Sequence, residues 1–566
     1  MPDLVIGSRR ASPQRALRAT GLLVGLALTA FIVAWFIYRR SVAYDVPSGE
    51  PVAAPIVLEQ TAGAGVRLRW ADASLAFLGN LTVLRTQGEP FAIGAAQGRL
   101  LAARLPAMAD ALAPSIDALA GNGGWLGGLT AGMRKDWRLR FIDDGVTEPH
   151  RRALAGLTRG AAASGVRLAY AEALRGAAVL DVGLPAPWTA EVQTRNLTRA
   201  LTVVAPQPAS ERLWVGRSFA APGLGDGGEA AAAPVVTIAH PTGRQAWAGV
   251  GWAGLTGVVT GVNAAGLVVT VHPTRTRDVR SARGAMPIAL LARDVLEECA
   301  DLDAAIKKIE TTPTLGAAAY VVIDGARGHW AVIDRSPTRV GVRRDPTVRA
   351  VGDVLGSTAF ADDPENDRQR RTSASVARAE RADRLAQTAP PDVAEVAALL
   401  RDRRSLADEG LAPGHRSAVD DVAAAHVVVI DPGSLQMWVG DGLGAGARLR
   451  GFDLRHELRG EGDRPIPPAD LAADPADDQA EAVRAARREL RAARKAWRTG
   501  ARARAAEAVA RALALAPNLP EAVLLAGTFA DGRGDRAGAV AAWARWFELG
   551  ADDPGLAATL RAAVTP

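Results

Sequence analysis

Few residues in this chain could do chemistry, and they are scattered. The one thiol, Cys299, lies in DVLEECADL, an amphipathic stretch where a free cysteine ordinarily serves as a small buried hydrophobe. Without a second cysteine there is neither an internal disulfide nor a CxxC metal site. The histidines His150, His240, His272, His329, His415, His426 and His456 show no HxxH or HExxH spacing, so no metal site is predicted. GVGWAG and GLGDGG are rich in glycine, but neither opens a helix after a strand with an acidic partner. They read as loops and imply no cofactor. Asn263, between Gly261 and Gly266, is by type a hairpin-turn residue. Arg293 lies on a helical run, where a solvated face is its ordinary place, and Thr198 has the β-branched character of a strand start.

The elements that would position these residues follow from hydropathy periods. LAFLGNLTVL, from residue 75, reads as a strand, and FAIGAAQGRLLAARLPAMADALAPSIDALA as a long amphipathic helix. A further helix, EPHRRALAGLTRGAAASG, stops at a glycine. Between about 198 and 350 the period shortens to two. LTVVAP, LWVGRSF, PVVTIAHP, QAWAGVGW, TGVVTGV, GLVVTVHP, YVVIDGA and HWAVIDR read as strands bounded by Gly, Pro, Asn and Asp. One helix, MPIALLARDVLEECADLDAAIKKI, interrupts them; helices near 372–387 and 392–403 and the strands AHVVVIDP and LQMWVGDG follow. Runs of strands flanked by helices predict stacked layers of sheet and helix.

Outside this body, residues 1–18 carry Arg9, Arg10, Arg15 and Arg18, and residues 19–38 are twenty uncharged residues, long enough for a transmembrane helix. The excess of arginine ahead of the helix predicts a cytoplasmic N-terminus and a body on the periplasmic or extracellular side. A cleaved signal peptide is the alternative, since Ser41 and Ala43 could satisfy a small-residue cleavage rule. The long apolar run and the adjacent Arg39 and Arg40 favour a retained anchor. Residues 39–74 and 458–477 read as linkers, 75–457 as the main domain, and 478–566 as alanine-rich helical repeats with corners near Pro517 and Pro554. That spacing is close to the tetratricopeptide period, and the repeats are a candidate surface for a protein partner. The net charge is +6, carried by arginines interleaved with acids rather than by a basic stripe with aromatics, so nucleic-acid binding is not predicted. Apolar residues at 48% and charged residues at 23% give a globular balance.

Six stretches, in order, resemble the autoproteolytic acyltransferase/hydrolase family that includes isopenicillin-N acyltransferase. They are GEPFAIGAAQGRLL, EPHRRALAGLTRGAAASGV, RLWVGRSF, WAGLTGVVTGVNAAGLVV, PIALLARDVLEECADLDAAI and AHVVVIDPGSLQMWVGDG. The resemblance implies an α+β four-layer αββα sandwich of the N-terminal-nucleophile hydrolase type. It also implies self-cleavage that frees a nucleophile whose own α-amine then serves as base. Aligning VGRSF on the family's G-R-N-x-D places that nucleophile at Thr198, cut from Leu197.

By the same resemblance Arg217 orients the nucleophile, Asn263 donates to the oxyanion, and Arg293 is the arginine of the helix after the central strands. The substrate class implied is a small-molecule acyl or amide compound. The sequence departs from the pattern in four places. The usual cysteine is Thr198, the asparagine after the arginine is Ser218, the acid three residues on is Ala220, and a T-N-H-F patch is Ser357-Thr358-Ala359-Phe360. These departures leave a second reading open, in which an inactive relative acts as a binding or scaffold protein through the sandwich and the helical repeats.

Overall fold

The computed structural model describes residues 13–61, 65–117, 124–182, 199–208, 210–221, 224, 233–278, 283–388, 390, 392–462 and 464–564. Its helices are α1 (Pro13–Ser41), α2 (Pro90–Leu100), α3 (Leu105–Asp117), α4 (Gly124–Leu139), α5 (Glu148–Ala163), α6 (Tyr170–Ala177) and α7 (Val179–Val182) in the first part of the chain. Then come α8 (Ile288–Glu298), α9 (Leu302–Thr311), α10 (Pro364–Thr372), α11 (Ser375–Gln387), α12 (Val393–Leu400) and α13 (Leu454–Arg459). The tail holds α14 (Asp477–Arg498), α15 (Arg502–Leu515), α16 (Pro520–Asp531), α17 (Arg536–Glu548) and α18 (Pro554–Val564).

Two sheets face each other. The larger has eleven strands, in the order β1 (Val57–Thr61), β2 (Gly65–Trp70), β3 (Ala73–Leu78), β4 (Leu81–Gly88), β7 (Val235–Pro241), β8 (Trp247–Gly251), β9 (Thr260–Asn263), β10 (Leu267–Thr274), β11 (Ala317–Asp324), β12 (His329–Arg335) and β13 (Val340–Arg344). The smaller has six: β14 (Ala350–Val351), β5 (Arg199–Pro206), β6 (Leu213–Ala220), β15 (His426–Asp431), β16 (Gln436–Gly440) and β17 (Leu449–Asp453).

Alternation along each strand sorts side chains into layers. On β11, Ala318, Tyr320 and Val322 join the core under α2, α5 and α8, while Ala319, Val321 and Ile323 face the smaller sheet. On β15, Val428 and Ile430 face the larger sheet, while Val427 and Val429 pack with α11 and α12. The result is the expected order of helix, sheet, sheet, helix.

Helices α2 and α5 cross at backbone distance. A methyl placed on Gly94, Gly98, Gly156 or Gly160 would lie within 2.2 Å of a carbonyl oxygen of the opposite helix. The spacing of GEPFAIGAAQGRLL thus has a packing cause: two glycines four apart on each helix let the backbones meet.

Three readings of local structure are corrected. Residues 57–61 and 65–70, read as linker, form β1 and β2, so the sheet begins before residue 75. LAFLGNLTVL is a hairpin of β3 and β4, turning at Gly79 with φ +62°, rather than one strand. The helix read across 286–309 is two helices, because Asp301 caps α9 by accepting from the Ala304 amide at 2.9 Å. Cys299 is therefore the C-cap of α8, not a mid-helix residue.

Within the stretch read as linker, residues 466–471 lie strapped along β17, where Leu449 and Leu471 bridge and the Trp438 indole donates to the Ala469 carbonyl at 3.0 Å. Beyond it the tail forms the hairpins α14–α15 and α16–α17 and a closing helix, with Trp543 and Trp546 buried. At the other end, among the described residues, one helix is long and apolar enough to cross a membrane: Thr20–Ser41, with mean hydropathy 2.2 and no part of its apolar window buried against the body.

Candidate active site

Strand β5 begins at Arg199; Leu197 and Thr198 lie outside the described residues. Its register against β6 is fixed, with Arg199 opposite Ala220, Ala200 opposite Phe219 and Thr202 opposite Arg217. Ala200, Thr202 and Val204 alternate onto the face turned toward the larger sheet, as Arg217 and Phe219 do from β6.

Arg217 is wholly buried between the sheets. Its Nη1 donates to the Thr202 hydroxyl at 3.1 Å and to His272 Nε2 at 2.8 Å. Nη2 donates to the Val271 carbonyl at 2.6 Å, and Nε to the Thr260 hydroxyl at 3.3 Å. The guanidinium also lies 5.1 Å from the Phe219 ring centre. Hydroxyls, an imidazole and a carbonyl hold this cation, and among the described residues no carboxylate hydrogen-bonds to it. Burial pushes it down to about 9, which still leaves it charged at neutral pH. The same burial, then the charge of Arg217, holds His272 and His426 well below the usual histidine range, so both rings are neutral. His272 Nε2 is then the acceptor. His426 Nε2 lies 2.9 Å from the Thr260 hydroxyl, and its ring stacks on Phe219.

A buried carboxylate reaches the head of β5 from outside the strand pair. Asp353 Oδ1 accepts from the Ala200 amide at 2.8 Å, and its Oδ2 from Ser375 Oγ and Arg378 Nη2, both at 3.2 Å. Burial, opposed by Arg378, pushes it up to about 6. Neither this acid nor the two histidines stood out in the sequence. The available signal was the in-phase Thr270 and His272 on an otherwise apolar strand, facing the same side as Val268.

The other two predicted residues lie on the far side of the larger sheet. Asn263 is out of phase with Thr260, and its Nδ2 donates to the carbonyls of Leu296 and Cys299 at 3.0 and 2.8 Å. Its Oδ1 accepts from the amides of Ala265 and Leu267 at 3.1 and 3.0 Å, closing the β9–β10 turn. The carboxamide is fully engaged in tying that turn to α8, and it is not turned toward Arg217. The hairpin-turn reading of Asn263 thus describes its contacts, and the oxyanion role expected from resemblance has no free donor here.

Arg293, expected on a solvated face, is buried. Its Nε donates to Glu297 at 2.6 Å and its Nη1 to the Thr256 carbonyl at 2.9 Å. Glu297 also accepts from the Trp247 indole at 3.2 Å, so Arg293 and Asn263 share a structural cluster under α8. The structure therefore joins Arg217 to the head of β5 and separates both from Asn263 and Arg293.

Ser357 caps the turn Thr358–Phe360, and its amide donates to Asp334 at 2.6 Å. Cys299 is buried, and burial pushes its thiol up to about 11, as befits an inert core residue. Among the described residues no cluster of His, Cys, Asp or Glu could hold a metal. A cleft of about 360 Å³ opens elsewhere, at the edge of the larger sheet among Arg67, Arg69, Arg85, His240 and Glu457.

Two facing sheets with helices outside make a four-layer αββα sandwich. Residues 236–432 match the model of the acyl-coenzyme A:6-aminopenicillanic acid acyl-transferase family. No curated protein matches it. Similar solved structures include the Caenorhabditis elegans ortholog of N-acylethanolamine-hydrolyzing acid amidase, at 15% identity and TM-score 0.31, covering 41% of this chain and 93% of that one. A mutant of conjugated bile acid hydrolase from Clostridium perfringens matches at 9% identity and TM-score 0.28, covering 48% of this chain and 96% of that one.

Proposed function

We propose that this chain is a membrane-anchored, exported acyltransferase or amidohydrolase that cleaves itself before Thr198 and then acts on amide or related acyl bonds. The observation that carries the reading is the head of β5. The residue after Thr198 opens a strand whose Ala200 amide is held by Asp353 and whose Thr202 hydroxyl is held by Arg217. In maturation the Thr198 hydroxyl attacks the Leu197 carbonyl carbon. The C–N bond breaks as its nitrogen takes up a proton, leaving an ester that water hydrolyses to a Leu197 carboxylate and a free Thr198 amine. In turnover that amine accepts the hydroxyl proton during attack on the substrate acyl carbon, and the leaving amine takes the proton away. Water or another amine then resolves the acyl-enzyme. The Arg217 cation, fixed between the sheets, supplies a permanent positive charge near that chemistry.

The anchor in this reading is Thr20–Ser41. Trp35 and Tyr38 lie at its body-side end, and Tyr38 is 3.3 Å from Asp136 of α4. The tail hairpins, of tetratricopeptide type in this proposal, would offer a surface to a protein partner.

A specific observation favours the second reading, an inactive scaffold: the carboxamide of Asn263 is engaged elsewhere, and the acid expected at 220 is alanine. A gel decides between them. The enzyme gives two fragments in the wild type and one full-length band for Thr198→Ala. A single band in both excludes self-cleavage and leaves the scaffold.

A further inference from the structure

Arg199, the residue after the proposed nucleophile, is tied to the C-terminal helices through two consecutive loop residues. Arg199 Nε donates to Asp421 Oδ2 at 2.8 Å, and Asp421 Oδ1 accepts from the Ala423 amide at 3.0 Å. The next residue, Val422, is buried in the apolar core of the tail, among Ala480, Val483 and Leu490 of α14 and Leu519 before α16.

Around this bolt the same loop is gripped at other points. Arg487 of α14 donates to the Gly414 carbonyl at 3.2 Å and to Glu521 of α16 at 3.3 Å, while Arg494 pairs with Glu521 at 2.6 Å. Arg416 pairs with Asp553, at the start of α18, at 3.3 Å. Arg199, Arg378, Asp421 and Arg487 line one small crevice. Burial there opposes ionisation of Asp421, but the charges of Arg199, Arg487 and Arg378 outweigh it and hold the carboxyl below its usual range. Past the crevice the loop runs directly into β15, where His426 sits opposite Phe219 of β6.

We infer that the docked tail positions the candidate cleavage site: α14 and Leu519 seize Val422, this fixes Asp421, and Asp421 fixes Arg199 beside Thr198. Asp421 is thus a positioning residue, and the tail is a working part of the sandwich rather than an appended module. The inference rests on the reading of Thr198 given above. The geometry also explains why a buried aspartate sits next to a buried valine on a loop. One binds the strand head, and the other binds the helices that must be present for the strand head to be held.

The test uses full-length protein. The rate of conversion to two fragments is compared for wild type, Asp421→Asn, Asp421→Glu, Arg487→Ala and Arg511→Ala, with urea midpoints measured alongside. Arg511 pairs with Glu489 on the outer surface of the tail and serves as the control. Asp421→Asn keeps the shape and removes the charge, so it and Arg487→Ala should slow cleavage about tenfold, the scale of an inter-site coupling. Asp421→Glu should recover much of the rate, and Arg511→Ala should stay near wild type. A wild-type rate in Asp421→Asn, or equal slowing in Arg511→Ala, overturns the inference.

If the wild type itself never cleaves, the Thr198 reading fails, and the coupling is then read by hydrogen exchange. The amides of residues 200–204 should exchange about tenfold faster in Arg487→Ala. Unchanged exchange there overturns the coupling as well.

Discussion

Replacing Gly98 by alanine tests the crossing of α2 and α5 with a sign that two effects dispute. Alanine is the better helix former, worth about 1 kcal/mol in a helix interior. Against this, the new methyl would sit 2.1 Å from the Leu157 carbonyl oxygen and 2.8 Å from the Ala161 amide nitrogen. Both obstacles are backbone, so no side chain can swing aside, and the helices must part by roughly 1 Å to restore ordinary contact. Overpacking of this kind costs about 1–3 kcal/mol, and the absence of a flexible neighbour places Gly98→Ala at the upper end. The expected net effect is a loss of about 1–2 kcal/mol.

Gly132 provides the internal control. It lies within α4, and a methyl there meets nothing within 4 Å, so Gly132→Ala should keep the propensity gain. Urea unfolding of detergent-solubilised protein, followed by far-UV circular dichroism, gives the two midpoints. A Gly98→Ala midpoint above wild type, moving as Gly132→Ala does, would refute the close crossing.

Asn263→Ala removes donors to two carbonyls and an acceptor for two amides in a fully buried turn, so the midpoint should fall by about 2–4 kcal/mol equivalent. An unchanged midpoint would show that the carboxamide is free of α8 and available for another role. Asp353→Asn should flatten the pH dependence of stability. The folded chain holds the Asp353 proton up to about 6, above the ordinary value of 3.8, so folding takes up a proton and stability from this group falls as pH rises from about 4 to about 6. Asparagine has no proton to hold, so the difference between midpoints at pH 4 and pH 7 should shrink. An undiminished difference would place the titrating group elsewhere.

Much of the sandwich was legible because its strands alternate and its turns carry glycine. GLVVTVHP and YVVIDGA are found as β10 and β11, paired in register from Leu267 opposite Asp324. Stretches without a strong period were harder. β1 and β2 carry Glu59, Arg67 and Arg69 at the sheet edge, a polar pattern that composition alone assigns to linker. The helix read across 286–309 looked continuous because Cys299 and Ala300 keep the apolar period, and only the Asp301 cap divides it.

At the site, Arg217 came from a motif around a strand, where two-residue alternation also fixes the face, and its place between the sheets follows. Asn263 and Arg293 came from motifs too, but which side of the sheet each occupies depends on phase against β10 and α8, which spacing within one segment does not carry. Asp353 and Asp421 reach the head of β5 from loops more than a hundred residues downstream. No local pattern announces a carboxylate that acts at that range.

The mass of the fragments in purified full-length protein tests the central claim most directly. Cleavage between Leu197 and Thr198 predicts two chains, the larger beginning with threonine at its free amine, and their loss in Thr198→Ala. An intact single mass for the wild type, or a cut at another bond that persists in Thr198→Ala, would contradict the account.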